Sequence, residues 1–266
     1  MSQITLYKAL WGMNGTLEEQ FAKIAAAGCY QGIETGVPAK EDASRFQELL
    51  AQYNFSYIAM VYTRGDDHAA SFEAQAEAAA RFKPVLINSH SAKDSMPYEA
   101  QRQFFDKALA VERAIGIPVA HETHRGRAMF TPWSTAALLK DFPELKITAD
   151  FSHWCCVCES LLPDQQDNLK LAFERAYHIH ARVGYAEGPQ VPHPAAPEHA
   201  KELSVHEAWW KEIVKVRSAA GQQALTLTPE FGPPGYMHTL PFTKQPVSDL
   251  WDVCLWMAER AKSYAD

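Results

Sequence analysis

The sequence has no long apolar run and no excess of basic charge. No segment approaches the roughly 20 apolar residues that cross a bilayer, and the first residues lack the basic and long apolar stretches of a secretory signal. The 32 acidic residues outnumber the 25 basic ones and give a net charge of −7, whereas proteins that bind nucleic acid usually present a basic face. We therefore predict a cytoplasmic protein that binds a small molecule and neither nucleic acid nor a membrane.

Cysteine is also scarce, since the chain contains five cysteines, and Cys155, Cys156 and Cys158 are crowded into one stretch. Such crowding is not typical of a disulfide framework. A structural zinc site of this kind needs a second pair of closely spaced cysteines, and the sequence has none. We predict buried free thiols, which suit a reducing cytoplasm.

What the sequence does contain is a regular alternation of short apolar runs and helical patterns. The predicted strands are 4–10, 30–34, 55–62, 84–90, 118–122, 145–150, 176–180 and 225–230. The predicted helices are 16–28, 41–53, 67–82, 97–115, 132–141, 164–175, 205–220 and 247–265. This alternation requires parallel strands with right-handed crossovers, and eight rounds close a barrel. We predict that residues 1–266 form a single TIM-barrel domain; a doubly wound open sheet is the alternative, although no GxGxxG motif follows the first strand.

Four predicted strands end in residues of the types that commonly bind divalent metals in proteins. They are Glu122, Asp150, His180 and Glu230. Side chains alternate between the two faces of a strand, and each of these residues lies opposite its aliphatic neighbours. The carboxyl ends of TIM-barrel strands meet at one rim, where active sites lie. The sequence therefore predicts that the four side chains converge. His178 shares a strand face with His180 and is an alternative ligand, although it would lie deeper in the barrel.

Two glutamates, an aspartate and a histidine form an oxygen-rich set suited to one Mn²⁺, Mg²⁺ or Co²⁺ ion, with Zn²⁺ as a further candidate. Such an ion would polarise the carbonyl of a hydroxy-ketone and acidify the neighbouring C–H. Glu122 and Glu230, on strands five and eight, could then remove and return the proton through an enediolate. This chemistry predicts an isomerase or epimerase of a small sugar, sugar acid or sugar phosphate.

Residues near the ends of other predicted strands are candidates for substrate binding. Glu34 ends strand two, and His90 ends strand four, with Lys93 in the loop that follows. Trp11 follows strand one and could form an aromatic wall of a sugar pocket. The long, proline-rich segment 183–204 is predicted to act as a rim or lid.

The segment 150–153, with the sequence DFSH, resembles the D-x-x-H motif of the xylose isomerase-like TIM barrels. Glu122, His180 within HIH and Glu230 within PEFG match the remaining metal ligands of that family, in strand order over the whole chain. The family includes sugar-phosphate isomerases and epimerases, ketose 3-epimerases, hydroxypyruvate isomerase and inosose dehydratase. The resemblance implies a metal-dependent barrel enzyme in which both glutamates are ligands and acid–base groups, and in which His153 contacts a substrate oxygen.

The chain departs from the ketose 3-epimerases at two positions of the resemblance. Those enzymes place an arginine six residues after the metal-binding histidine and a glutamate six residues after the strand-five ligand. The corresponding residues here are Ala186 and Ala128, and the nearest arginine to the first position is Arg182. Arg125, directly after strand five, is a further candidate, because a planar guanidinium group suits a substrate carboxylate or phosphate.

Several functional alternatives stay open from the sequence alone. A dehydratase of a keto-polyol or of dehydroshikimate type would use the same proton abstraction but eliminate a hydroxyl group. An endonuclease IV-like repair enzyme shares the barrel, although it needs more metal ligands and a basic groove. A non-catalytic sugar-binding barrel is the third alternative. Tryptophans in the predicted helices are consistent with either core packing or a homo-oligomer interface.

Overall fold

The computed structural model describes residues 3–221 and 224–265, which form a closed barrel of eight parallel strands. The strands are β1 (Gln3–Ala9), β2 (Gly32–Gly36), β3 (Ser56–Tyr62), β4 (Leu86–His90), β5 (Val119–Glu122), β6 (Lys146–Ala149), β7 (Ala176–His180) and β8 (Ala224–Thr228). Each strand pairs with the next in the chain, and β8 pairs with β1. The predicted TIM barrel is therefore confirmed, and the open sheet is excluded.

Helices occupy the connections between the strands. They are α1 (Leu17–Ala27), α2 (Ala43–Tyr53), α3 (His68–Ala80), α4 (Tyr98–Ile115), α5 (Pro132–Asp141), α6 (Ser152–Val157), α7 (Gln166–Arg175), α8 (Ala200–Ala219) and α9 (Leu250–Ala261), with short 3₁₀ turns at Pro197–His199 and Lys262–Ala265. Helix α6 was not predicted, because one and a half turns give too short a pattern to recognise. Helix α8 begins five residues before the predicted start, which shortens the proposed lid segment.

Local signals fix several helix ends where the sequence predicts them. Thr16 and Glu19 form a reciprocal capping box at the start of α1, which satisfies two backbone N–H groups that would otherwise lack partners. Gly28 ends the same helix in the left-handed conformation, with φ of 70°. Gly116 ends α4 in the same way, with φ of 68°. These caps hold the helices at the lengths that the crossovers require.

The two faces of each strand have different roles. Outward-facing aliphatic residues such as Ile147 and Leu227 are fully buried in one large core that includes residues of the surrounding helices. Inward-facing residues near the amino ends of the strands form a small second core. Its buried members are Tyr7, Ile58, Leu86 and Ala120. The predicted alternation is confirmed, and the interior above this small core is left to polar side chains.

The five cysteines are free thiols. Cys155 is buried, as predicted, whereas Cys156 and Cys158 are partly exposed because they lie on the outer side and at the end of α6. Within residues 3–221 and 224–265, no helix combines the length and apolar character that a bilayer crossing requires.

Gly32 lies in β2 at a point where the neighbouring strands leave no room for a side chain. A Cβ atom at this position would lie 2.4 Å from Cε1 of Tyr7 and 2.5 Å from the backbone oxygen of Ser56. We expect Gly32→Ala to lower the free energy of unfolding by about 1–3 kcal/mol, because the barrel strands would have to shift. Gly36→Ala is the matched control, since an added Cβ meets no atom within 4 Å there. Urea unfolding measures both, and equal losses would contradict the steric explanation.

His206 of α8 ties this helix to the loop after β7. Its Nε2 accepts a hydrogen bond from Gly184 N at 3.2 Å, and its Nδ1 lies 2.9 Å from the oxygen of Glu202. Burial lowers the pKa of His206 to about 4, whereas a histidine in an unfolded chain has a pKa of about 6.5. Between these values the unfolded chain binds a proton that the folded chain does not, so stability should fall as the pH falls.

We therefore expect His206→Gln to flatten the fall in stability between about pH 6.5 and pH 4. Urea unfolding at a series of pH values measures this slope. His238→Gln, which replaces an exposed histidine, is measured in parallel as the control for the loss of a histidine. A His206→Gln curve parallel to that of the unsubstituted protein would show that His206 does not contribute to the slope.

Candidate active site at the carboxyl end of the barrel

The four predicted ligands meet inside the barrel at the carboxyl ends of its last four strands. Glu122 ends β5, Asp150 directly follows β6, His180 ends β7 and Glu230 follows β8 by two residues. One ligand atom from each lies within 4.8 Å of those from the other three. All four residues are at most 4% exposed. The structure therefore brings the four residues together, as the period-2 pattern predicts.

The ligand atoms of this cluster lie close to one nitrogen of His180. Nδ1 of His180 lies 3.0 Å from Oε2 of Glu230, 3.5 Å from Oε2 of Glu122 and 4.0 Å from Oδ2 of Asp150. Despite these distances, this nitrogen has no hydrogen-bond partner of acceptable geometry among the described residues, and neither has Oε1 of Glu122. Three carboxylates and one imidazole nitrogen are a suitable donor set for a divalent cation. The residues thus fit the predicted metal.

The charges of the cluster also fit a cation. Burial by itself would lower the pKa of His180, but the carboxylates of Glu230, Glu34 and Glu122 together raise this pKa well above its usual value. Among the described residues, Arg182 is the only lysine or arginine that contacts these carboxylates. Buried carboxylates are costly without compensating positive charge. A divalent ion would supply that charge.

Glu34 lies beneath the cluster and holds its histidine. Oε1 of Glu34 is 3.0 Å from Nε2 of His180, and Oε2 accepts a hydrogen bond from Oγ1 of Thr228 at 2.5 Å. Burial opposes ionisation of Glu34, but His180 and His178 hold its pKa well below the usual range. A carboxylate on the far nitrogen of a metal-binding histidine fixes the orientation of the ring. Glu34 therefore directs Nδ1 of His180 towards the three carboxylates.

His178, the alternative ligand, lies below the cluster. Its Nε2 lies 3.2 Å from Oε2 of Glu34, and its Nδ1 lies 2.8 Å from Oγ1 of Thr226. Both ring nitrogens are thus in use below the cluster, whereas His180 lies among the three carboxylates. His178 could join an ion only in a lower group with Glu34 and His180.

Asp150 is held from behind by α6, the helix that the sequence pattern did not predict. Its Oδ1 accepts hydrogen bonds from the backbone N and from Oγ of Ser152, at 3.2 and 2.5 Å, and its Oδ2 contacts Arg182. Burial raises the pKa of Asp150 to about 6, against the opposing effect of Arg182. Gly184 permits this arrangement, because a Cβ there would lie 2.7 Å from the backbone oxygen of Ser152.

His153 lies behind the site and not at the cavity. Its ring is fully buried, and its Nε2 accepts a hydrogen bond from Nη2 of Arg182 at 2.7 Å. Burial and Arg182 hold the pKa of His153 well below the usual value. The ring of His124 lies 3.9 Å away, between centroids, and takes the position at the cavity. The expected contact between His153 and a substrate oxygen is therefore not available in this structure.

A cavity of about 440 Å³ opens above the cluster, within the range of small-molecule sites. Its lining residues are Leu10, Trp11, Glu34, Thr35, Gly36, Met60, Tyr62, His90, Glu122, His124, Arg182, Glu230 and Tyr236. Nε2 of His90 lies 2.8 Å from Oε2 of Glu122. The predicted binding residues Trp11, Glu34, His90 and Arg182 thus reach the cavity, although Glu34 and Arg182 are engaged with other residues of the site.

Two predicted binding residues do not line the cavity. Lys93 is exposed, beyond a turn in which Ala92 has φ of 55°. Arg125 lies over the ring of Tyr236, with its Cζ 5.1 Å from the ring centroid. The predictions for both residues depended on sequence proximity to a strand end, and a loop can turn such residues away. No residue of the proposed lid segment 183–204 lines the cavity; Arg182, which does, directly precedes that segment.

Sequence reasoning missed several residues of the site. Tyr62 ends β3, so the strand-end rule that selected His90 could have found it. Asn88 donates hydrogen bonds to Glu122 Oε2 at 2.9 Å and to Glu34 Oε1 at 3.2 Å, and it shares a strand face with His90. Tyr236 lies in an irregular loop after β8, where no sequence pattern indicates its position.

Residues 21–209 match the xylose isomerase-like TIM barrel family, which is more than half of the chain. The chain therefore belongs to that family. No sequence among the curated proteins matches the chain significantly.

Similar solved structures share the fold at low sequence identity. A xylose isomerase-like TIM barrel protein from Mycobacterium smegmatis, in complex with magnesium, is 11% identical, with a TM-score of 0.66 and coverage of 98% of this chain and 96% of that one. A sugar phosphate isomerase/epimerase from Parabacteroides distasonis is 9% identical, with a TM-score of 0.60 and coverage of 100% and 96%. The probable 3-DHS dehydratase AsbF from Bacillus anthracis is 16% identical, with a TM-score of 0.59 and coverage of 97% and 98%. These similarities support the fold.

Because Glu34 orients the ring of His180, its charge should matter for metal binding. We expect Glu34→Gln to weaken the binding of Mn²⁺ by about 10–100-fold, as found for partners of metal-binding histidines. Calorimetric titration of metal-free protein with MnCl₂ measures the affinity. Glu41→Gln is the control, since Glu41 is exposed in the loop after β2. Equal affinities in the two variants would show that Glu34 has no part in holding the ion.

Proposed function

We propose that this protein is a divalent-metal-dependent isomerase or epimerase of a small carbohydrate. One observation carries the proposal: Glu122 and Glu230 both belong to the ligand cluster and both line the cavity, whereas Asp150 lies behind it. Two carboxylates on the same cavity are what a reaction needs when one group removes a proton and another returns it. Asp150 then serves only to hold the ion.

The residues around the cavity would have different roles in this reaction. A divalent ion bound by the cluster would polarise the substrate carbonyl and lower the pKa of the neighbouring C–H. Glu122 and Glu230 approach the cavity from β5 and β8, with two strands between them, so they reach a bound carbon from different directions. Asn88 donates a hydrogen bond to Oε2 of Glu122 at 2.9 Å and so orients this carboxylate, and Nε2 of His90 lies 2.8 Å from the same oxygen. Nη2 of Arg182 lies 3.5 Å from Oε2 of Glu230.

A metal-dependent dehydratase is the second candidate, and His90 is the observation that favours it. The ring of His90 lines the cavity next to Glu122. In an elimination, one carboxylate removes the proton beside the carbonyl, and the C–O bond of a β-hydroxyl breaks as an acid protonates the leaving oxygen. His90 could provide that proton. The release of water with formation of an enone, seen as new ultraviolet absorbance, distinguishes this reaction from isomerisation.

The proposal predicts that Glu230 is required for proton exchange. We expect Glu230→Gln to lower the incorporation of solvent deuterium into a ketose substrate by at least about 10²-fold, because the amide cannot accept the proton. Mass spectrometry of the sugar after incubation in deuterated water, with Mn²⁺ at a saturating concentration, measures the incorporation. Glu187→Gln is the matched control, because Glu187 is exposed on the rim loop after β7.

Two further results bear on the same prediction. Circular dichroism should show that Glu230→Gln stays folded, since residues at this rim contribute more to activity than to stability. Removal of the ion with a chelator should stop exchange in the unsubstituted protein, and adding Mn²⁺ should restore it. Exchange at the unsubstituted rate in Glu230→Gln, or exchange that survives chelation, would contradict the proposed reaction.

A further inference from the structure

The cavity has a charged floor and an aromatic wall. Its floor is formed by the acidic cluster, of which Glu122 and Glu230 are in contact with the cavity. Its wall comes from the loop after β1, from β3 and from the loop after β8. The apolar and aromatic members of the wall are Leu10, Trp11, Met60, Tyr62 and Tyr236. A ligand here would place oxygens on the floor and a carbon face on the wall.

The aromatic wall is fixed by packing. Trp11 stands edge-to-face with Tyr236, with centroids 5.1 Å apart. It also lies directly on Gly232, where an added Cβ would be 2.2 Å from Cη2 of the indole. On the other side Tyr62 packs edge-to-face on His90 at 4.7 Å. Trp11 is 38% exposed and Tyr62 is 40% exposed, so both keep free ring surface, which suits stacking on a sugar.

Arg182 is the only lysine or arginine among the described residues that line the cavity, and it is already engaged. Its Nη2 contacts Asp150 and His153, and its Nε donates to Oγ of Ser152 at 3.1 Å. The ring of Tyr236 covers the guanidinium at 4.8 Å. The residue is 1% exposed, so it offers little surface to a substrate phosphate or carboxylate.

The other basic residues near the rim also lie outside the cavity. Nη1 of Arg127 donates to the backbone oxygens of Thr63 and Ala92 at 2.8 and 3.2 Å, which ties two rim loops together. Arg125 rests on the ring of Tyr236, and Lys93 is exposed outside the cavity. None of these three lines the cavity in the part of the chain that the structure describes.

The acidic side chains of the site also disfavour an anionic ligand. The carboxylates of Glu34, Glu122, Asp150 and Glu230 are buried at or behind the cavity floor, and Arg182 is the only lysine or arginine in contact with any of them among the described residues. Because these carboxylates are buried, their negative potential acts at short range and is screened little by salt. An anionic group on the substrate would therefore be repelled, whereas hydroxyl groups can donate hydrogen bonds to the carboxylates.

We propose that the substrate of this site is an uncharged hydroxy-ketone, a free ketose or keto-polyol, that stacks a C–H face on Trp11 and Tyr62. Sugar phosphates and sugar acids are rejected. This inference rests on the proposed function for the choice of a hydroxy-ketone, but the charge and the stacking face follow from the cavity. It narrows the sequence-based expectation, which included all three kinds of sugar.

The test compares binding within matched sets of ligands. Saturation-transfer NMR with Mg²⁺-loaded protein at low ionic strength would measure the affinity for D-fructose, D-fructose 6-phosphate and 2-keto-D-gluconate, and for D-xylulose and D-xylulose 5-phosphate. We expect the uncharged member of each set to bind at least about tenfold more tightly than its charged partners. Tighter binding of a phosphate or carboxylate, or no binding of either free ketose, would overturn the proposal.

Variants locate the binding on the aromatic wall. Trp11→Ala should weaken the binding of the free ketose by at least about tenfold, whereas Trp133→Ala, which removes an exposed indole from α5, should leave it unchanged. Tyr62→Lys adds a cation to the wall and should shift the preference towards the phosphorylated partner. Equal binding of the ketose to the Trp11 and Trp133 variants would place it elsewhere and refute the stacking.

Failure of the proposed reaction would look different. Free ketoses would still bind in a Trp11-dependent way, but Mn²⁺-loaded protein would incorporate no solvent deuterium into them. That result would reject the isomerase or epimerase activity and support the uncharged ligand class, because binding is measured without turnover.

Discussion

Negative charge buried at the carboxyl end of the barrel is the constraint on which the rest of the site depends. Glu34, Glu122, Asp150 and Glu230 surround the imidazole of His180, and each is at most 4% exposed. The guanidinium of Arg182 and the imidazole of His180, whose pKa these carboxylates raise, compensate only part of this charge. Burying the remainder destabilises the chain alone, since unpaired buried charges are costly. The arrangement therefore makes physical sense as a preformed site for a cation, whose binding would recover that free energy.

The barrel can tolerate the destabilisation from these buried charges because the two faces of each strand pack in different surroundings. Outward side chains such as Ile147 and Leu227 pack against the helices in a continuous core, which supplies most of the buried apolar area. Only the lower interior, around Ile58 and Leu86, is apolar as well. The upper interior contributes little to the core, so the polar cluster can exist there without interrupting it. Stability and chemistry thus come from opposite faces of the same strands.

This separation also explains what the sequence could predict. Glu122 and His180 belong to strands, and Asp150 and Glu230 lie within two residues of a strand end, where parity and register fix direction. Strand pairing places such residues within a small volume, so a period-2 pattern is enough to find them. Helix α6 has no such signal, and its role depends on contacts between residues distant in the chain, as when Nε of Arg182 donates a hydrogen bond to Oγ of Ser152. Contacts of that kind depend on the whole fold.

Loops determine what the cavity recognises, and they are the part that sequence patterns describe least well. Lys93 and Arg125 follow strands closely in the chain, yet local turns carry both away from the cavity. Tyr236 reaches the cavity from an irregular loop. Gly232 leaves room for the indole of Trp11 because glycine has no side chain. A change in one of these loops would alter the wall without moving the cluster on the strands. The chemistry of this barrel and its choice of substrate can therefore vary separately, the first with strand ends and the second with loops.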